Sequence, residues 1–368
     1  MANAPTIDID SLLAPISAAA PAGTNLRADA SPKSIYYKLK DARGGARAAE
    51  RRADSEGAVA GLLPEWQTIL NLAPKALAET SKDLEVVVWF IEGLVRAHGF
   101  AGLRDGLKLA HGLVERYWDS FFSLEDEDGL ATRLAPLAGL NGQGSEGTLI
   151  QPLRKVPVTA SRGDGAFAIY HYDQARALAN VTDVDVKARR EAAGEVNMER
   201  FTAAANESGG VFYIALLEDI DAGNAVLGQL GETLLARAGR DAPSTSDIAR
   251  VLTTIRDTVA AFSAELVEQA RAAAAVGSPG AQSGAGGGAA AGSAGGPVRG
   301  REEALRTLQQ VAEYFRKNEP QSPISTSLDE IVRRAKMPFA ELLAELLPDN
   351  NAAWRSALNS AGIKPPPG

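Results

Sequence analysis

Residues 81–119, SKDLEVVVWFIEGLVRAHGFAGLRDGLKLAHGLVERYWD, constrain the fold more than any other part of the chain. In the first half, Leu84, Val87, Val88, Ile91, Leu94 and Val95 recur at helical spacing. Val86, Trp89 and Phe90 make most of the remaining circumference apolar. A helix apolar nearly all round has to be covered on several sides. Its polar seam is Glu85, Glu92 and Arg96, with Glu92 one turn before Arg96 in the favourable order for an ion pair. Thr80 or Ser81 is placed to cap the start, with Asp83 in the first turn at the positive end of the dipole. Gly99 can take the left-handed conformation that ends the helix. The second half puts Leu103, Leu107, Ala110, Val114 and Trp118 on one stripe, with Arg104, Asp105, Lys108, Glu115 and Arg116 outside. The spacing predicts a core helical hairpin whose aromatics are packing residues.

On both sides of the hairpin the pattern is mostly helical. Residues 7–16 suit a short helix stopped by Pro15, and 21–25 form a turn. Residues 32–56 are helix-permissive but very polar, and Gly44 and Gly45 break them. Arg43, Arg47, Arg51 and Arg52 lie near Glu50, Asp54 and Glu56, which predicts a solvated, partly mobile arm. A helix is expected from Pro64, with Trp66, Ile69, Leu70, Ala73 and Leu77 as its apolar set. After the hairpin, Pro152, Pro157 and paired glycines predict extended chain, with a short strand pair at 149–158 and 166–170. Helical signals resume at 184–206, 212–240 and 246–275. Ile248, Val251, Leu252, Ile255, Val259, Phe262 and Leu266 form a long stripe on the last.

Residues 276–300 are almost wholly Gly, Ala and Ser, with one charge at Arg299. They cannot bury enough apolar surface to order themselves. As a flexible coil they span roughly 25–30 Å, so the chain beyond residue 300 is a separate unit. In that unit Leu305, Leu308, Val311, Ala312 and Phe315 line one helix. Ser322 and Pro323 open a second, with Ile324, Leu328, Ile331, Val332 and Ala335. Pro338 starts a third, with Phe339, Leu342, Leu343, Leu346 and Leu347, then Trp354 and Leu358. A domain this small rarely supplies much stability alone, which points to oligomerisation. The reading is an all-α, multidomain protein: a helical domain at 1–145, a mainly helical middle domain at 146–275, a linker at 276–300 and a C-terminal assembly domain at 301–368. The boundary near 145 is soft.

The chemistry-bearing motifs are weak. The chain has 368 residues and no cysteine, which removes disulfides, thiolate metal sites and cysteine nucleophiles. Its net charge of −8 disfavours nucleic acid as a partner. No run of uncharged apolar residues is long enough for a membrane span, and the N-terminal charge pattern is wrong for a secretory signal. Residues 142–147 are a literal G-x-G-x-x-G, but a dinucleotide site needs a strand before it and a helix after. Glu125, Asp126, Glu127, Asp128 and Gly129 do not match the spacing of a calcium loop. His98, His111 and His171 show no metal-binding spacing. No catalytic residue, cofactor or metal site is expected, and the chain is read as not an enzyme. Arg333, Arg334 and Lys336 form a basic patch that suits either a solvated helix face or an intersubunit contact.

Taken in order, several blocks resemble a known family. They begin with Leu12-Leu13-Ala14-Pro15-Ile16-Ser17, Pro21-Ala22-Gly23 and Leu26-Arg27. Next come Trp66, Ser81-Lys82-Asp83-Leu84, Trp89 and Gly99-Phe100-Ala101-Gly102-Leu103-Arg104-Asp105-Gly106-Leu107. Tyr117-Trp118-Asp119, Arg133, Pro136-Leu137 and Leu140-Asn141 complete the set. This resembles the ImpA-type N-terminal domain of the TssA family of bacterial type VI secretion systems. The loop after Arg27 departs from the family pattern, with Ala28-Asp29 in place of a tyrosine-bearing stretch. The run 318–324, with Val332 to Ala335, Met337-Pro338 and Glu341 to Leu343, resembles the terminal domain of shorter members. The resemblance implies a non-enzymatic, cytoplasmic assembly factor at the baseplate, associated with the secretion apparatus at the inner membrane. Its C-terminal end would form a homo-oligomeric ring. Its N-terminal domains would engage other baseplate, tube and sheath proteins. Phe339, Leu343, Leu346 and Trp354, with Arg333 and Arg334, are the expected ring interface or its supporting core. The rival readings are a monomeric helical adaptor and a nucleotide-binding enzyme using the 142–147 loop.

Overall fold

A computed structural model describes residues 2–55, 61–124, 129–160, 165–276, 301–318, 321, 323–337 and 345. Helices make the architecture: α1 Ile9–Leu13, α2 Ile35–Ser55, α3 Pro64–Glu79, α4 Leu84–Tyr117, α5 Leu130–Asn141 and α6 Ile150–Lys155. They continue with α7 Ile169–Ala179, α8 Val184–Ala192, α9 Met198–Ala238, α10 Ser246–Val276, α11 Arg301–Asn318 and α12 Ile324–Lys336. Among the described residues, β pairing is confined to isolated bridges, Gly23 with Ser81, Asp83 with Phe122 and Pro157 with Ala168. The protein is all-α. It divides into two compact units, Met1–Val276 and Gly277–Gly368. The boundary expected near residue 145 falls inside the first unit, between α5 and α6, and α4 packs on α9 across it.

α4 is the predicted hairpin. Gly99 reverses the chain with φ 57° and ψ −133°, a region open to glycine and strained for other residues. The halves then meet at backbone contact: a Cβ on Gly102 would lie 2.2 Å from the Leu94 carbonyl oxygen. The first half packs on α3, where Gly93 faces Ile69 and Leu70. The second half packs on α1 and α9, with Gly112 against Leu13 and Leu103 beside Gly223. By length and composition α4 could cross a membrane, but most of its apolar stretch is buried within the fold. The cap differs from expectation. Asp83, rather than Thr80 or Ser81, is the N-cap, and its carboxylate accepts from the Glu85 and Val86 amides.

Three other expectations are corrected. Residues 35–55 are not a broken, mobile arm but the continuous helix α2, which buries Tyr36, Leu39 and Ala46. Two mid-helix glycines cost roughly 1 kcal/mol each relative to alanine, and the side-chain contacts of α2 offset that. The strand at 149–158 is instead the short helix α6, which buries Ile150 and Leu153. Pro152 sits in its first turn, where a missing N–H costs no helical bond. Pairing back is confined to the end of the stretch, where Pro157 bridges Ala168 and the Val158 and Thr159 amides donate to the Phe167 carbonyl. Finally, the signal at 184–206 splits: α8 ends before Gly194, and Asn197 caps the start of α9.

Gly44 and Gly102 should respond oppositely to alanine. A Cβ on Gly44 meets nothing within 4 Å, so Gly44→Ala raises unfolding free energy by about 1 kcal/mol. Gly102→Ala overpacks the hairpin and lowers it by about 1–3 kcal/mol. Urea titrations of both variants check this, and a shared sign would contradict the packing.

Candidate functional site

The blocks that carry the family resemblance come together as buried polar joints around α4. Lys82 is fully buried, and its ammonium donates to the carbonyls of Leu12 at 2.7 Å and Leu77 at 2.6 Å. These lie in the last turns of α1 and α3, whose carbonyl ends are negative. The Tyr117 hydroxyl donates to the adjacent Leu13 carbonyl at 2.8 Å. Next to this joint, Arg27 pairs with Asp83 at 2.6 Å and Glu85 at 2.5 Å. It lies over the Tyr36 ring, whose hydroxyl donates to Glu85 at 3.0 Å.

The Glu92–Arg96 side-chain pair expected from sequence is not formed. Glu92 is fully buried and takes Arg43 at 2.5 Å and Arg47 at 3.8 Å, both from α2. Arg96 pairs with Glu50 of α2 at 2.5 Å and stacks over Trp66, whose indole N–H donates to the same carboxylate. Arg104 and Asp105, expected to face outward, are buried. Arg104 pairs with Asp105 at 2.7 Å and with Asp219 of α9, and it donates to the Asn3 carbonyl. Asp105 accepts from the Thr6 amide at 2.7 Å. These side chains fix helices and the N-terminal stretch of chain; none of them is presented to a substrate.

The remaining motifs have structural surroundings. The 142–147 loop comes after the helix α5, not a strand; Gly142 packs onto the loop's own backbone and Gly147 onto the last residues of α5, while the space over Gly144 is open. The dinucleotide reading therefore loses the context it requires. His111 contacts Thr233 at 3.0 Å, His171 accepts from the Ala168 amide, and His98 is exposed. Among the described residues no group of His, Asp or Glu is arranged to hold a metal. The acidic cluster at 125–128 lies outside the described residues.

In the C-terminal unit, Arg333 and Arg334 of α12 lie together. Arg333 reaches Glu330 and Glu345 at 2.6 Å, and Arg334 reaches Glu345 at 2.9 Å. The Arg333 hydrogen bond holds the Glu330 carboxyl down at about 2. Phe339, Leu343, Leu346 and Trp354 lie outside the described residues, as do Ser322 and the third helix start at Pro338. α11 and α12 bury Ala312 and Val332, but Val311 is 38% exposed, Tyr314 60% and Ile331 52%. Val311 and Ile331 belong to the apolar stripes of the sequence, whereas Tyr314 lies off them. Its three-residue offset from Val311 is the signal that places it on the same face.

The Lys82 joint predicts a pH dependence. Burial pushes its ammonium down to about 8. A neutral amine still has two N–H donors for the two carbonyls. The folded chain gives up this proton before the unfolded chain does, so stability rises with pH between about 8 and 10. Higher still, Tyr36 and Tyr213, both pushed up to about 12 by burial, reverse the slope, because only the unfolded chain ionises there. Urea midpoints measured across that window should rise for the native chain and stay flat for Lys82→Met.

Comparison with known proteins places this geometry. Residues 13–142 match the family model described as ImpA, N-terminal, type VI secretion system. The chain is 26% identical over 358 residues to "Type VI secretion system component TssA1" of Pseudomonas aeruginosa, covering 93% of this chain and 96% of that protein. A solved structure also matches, the N-terminal domain including the conserved ImpA_N region of the TssA component from Burkholderia cenocepacia. The TM-score is 0.59 at 29% identity, covering 70% of this chain and 94% of that one. With the buried joints of α4 formed by the very blocks that carry the resemblance, residues 13–142 are similar to the ImpA-type N-terminal domain, and the chain as a whole is similar to TssA components of type VI secretion systems.

Proposed function

We propose that this protein is a non-enzymatic assembly component that acts at the secretion baseplate and coordinates tube and sheath growth. Its C-terminal unit self-associates into a ring, and its N-terminal units engage other baseplate, tube and sheath proteins. It works in the cytoplasm, with the apparatus at the inner membrane, and needs no cofactor. The observation that carries this reading is the similarity to TssA1, which runs through 93% of the chain and so includes both units. Three further features support self-association. Val311, Tyr314 and Ile331 are large apolar side chains exposed on a small unit. The Gly-, Ala- and Ser-rich sequence at 276–300 suits a tether. Arg333 and Arg334, paired with Glu330 and Glu345, place a matched ion-pair network beside such a contact. Phe339, Leu343, Leu346 and Trp354 are the proposed apolar interface or its supporting core.

Light scattering on the full chain and on a chain ending at Ala275 tests the assembly claim. The full chain should give a multiple of the monomer mass and the shortened chain the monomer mass. Trp354→Ala and Ile331→Asp should each lower the mass of the full chain. Equal monomeric masses for full and shortened chains would overturn the ring and leave a monomeric adaptor.

A further inference from the structure

The inward and outward faces of α2 differ in kind. Inward, every charge is matched: Arg43 and Arg47 by Glu92, Glu50 by Arg96, and Asp54 by Lys155 of α6. Outward, Lys38, Lys40, Arg51 and Arg52 are exposed, and none reaches a carboxylate among the described residues. Asp41 is the exposed acid on this face, and Glu65 of α3 borders it, with its Cγ 3.5 Å from where a Cβ on Gly45 would lie. This is a basic face on a chain of net charge −8. Helical periodicity sets Lys40 and Arg51 along one edge and Lys38 and Arg52 along the other, so the cations form two pairs about 20 Å apart. Between the pairs lie Gly44, Gly45 and Ala48, all exposed, and the space over Gly44 is open to at least 4 Å. The face is also held still, because the ion pairs on its inner side anchor α2 to α4.

We propose that the outward face of α2 docks an acidic helix of a partner protein, one with carboxylates near both ends and small or apolar residues between. The charge argument selects the partner. Two separated pairs of unpaired cations match acids grouped at the two ends of a helical segment. A uniform polyanion such as nucleic acid would meet the uncharged stretch between the pairs, Asp41 beside the first pair, and the repulsion of a net negative chain. The bare centre selects the shape, because a helix can approach closely where the facing backbone carries no side chains. This surface belongs to the N-terminal unit alone and does not depend on the ring.

The test is fluorescence anisotropy on the full chain. The probe is an alanine-rich helical peptide of about 20 residues with a glutamate pair near each end, and its counterpart carries lysines. The native chain should bind the glutamate peptide more weakly as salt is raised and ignore the lysine peptide. Lys38→Glu combined with Arg52→Glu should weaken binding by at least about tenfold. Gly44→Leu, which fills the centre without changing charge, should weaken it comparably while circular dichroism holds and the unfolding midpoint does not fall. Lys187→Glu combined with Arg240→Glu makes the same charge change elsewhere and should leave binding intact. The proposal is overturned if the native chain does not bind the glutamate peptide, or if the control pair loses as much as the α2 pair. It is equally overturned if Gly44→Leu binds as well as native, or if a short DNA duplex binds more tightly than the peptide.

Discussion

A single buried carboxylate decides how the N-terminal unit closes. Glu92 sits in the middle of an otherwise apolar wall of α4 and has no exposure to water. An unpaired charge there would cost several kcal/mol, while each large apolar neighbour stabilises by about 1.5–3 kcal/mol when covered. Covering the wall therefore requires cations to arrive with the cover. α2 brings them, since Arg43 and Arg47 lie one turn apart on its inner face and both reach Glu92. Glu50 then meets Arg96, which is left without its intrahelical partner. The same logic holds on the other side, where the Arg104–Asp105 pair is completed by Asp219 and by the backbone at Asn3 and Thr6.

The reach of each signal along the chain explains what is legible in the sequence and what is not. α4 is readable because its signals are local: apolar girth, a glycine at the reversal and acids at the start. α3 and α10 are readable for the same reason, each having one clear stripe. α2 is misread because its polarity and its glycines argue against a continuous packed helix, and the contacts that override them come from residues far along the chain. Nothing near Arg43 in sequence announces Glu92. The same blindness puts Arg104 and Asp105 outside, since a charge on a helix face reads as solvated until its distant partner is known. α6 fails in the opposite sense. Its prolines suggest extended chain, but a first-turn proline is compatible with a helix once Ile150 and Leu153 have a core to enter. In the C-terminal unit the helices are legible, but the burial of each apolar residue is not. Periodicity gives a face, and only a partner decides whether Ile331 is covered.

The residues that identify the family are thus joints rather than contact surfaces. Lys82 closes two helix ends, Asp83 starts a third, and Gly102 admits the backbone of the opposing half of α4. Their chemistry is fixed by close packing, where a methyl group or an unpaired charge is costly. Such positions serve the fold of the unit. What a given member binds has to be encoded where packing imposes little, on exposed helix faces and on the unit beyond residue 276.

Separating joints from surfaces has a consequence for affinity. An exposed face such as that of α2 offers few contacts, and surface ion pairs contribute only about 0–1 kcal/mol each. One such contact is weak and readily reversed. In the proposed assembly several N-terminal units share one C-terminal hub, and after a first unit docks the proposed tether presents the next at an effective concentration in the millimolar range. Weak individual contacts then hold collectively and still exchange one at a time. A growing structure needs this from a scaffold, because a single tight site would hold the scaffold to the first subunit it met.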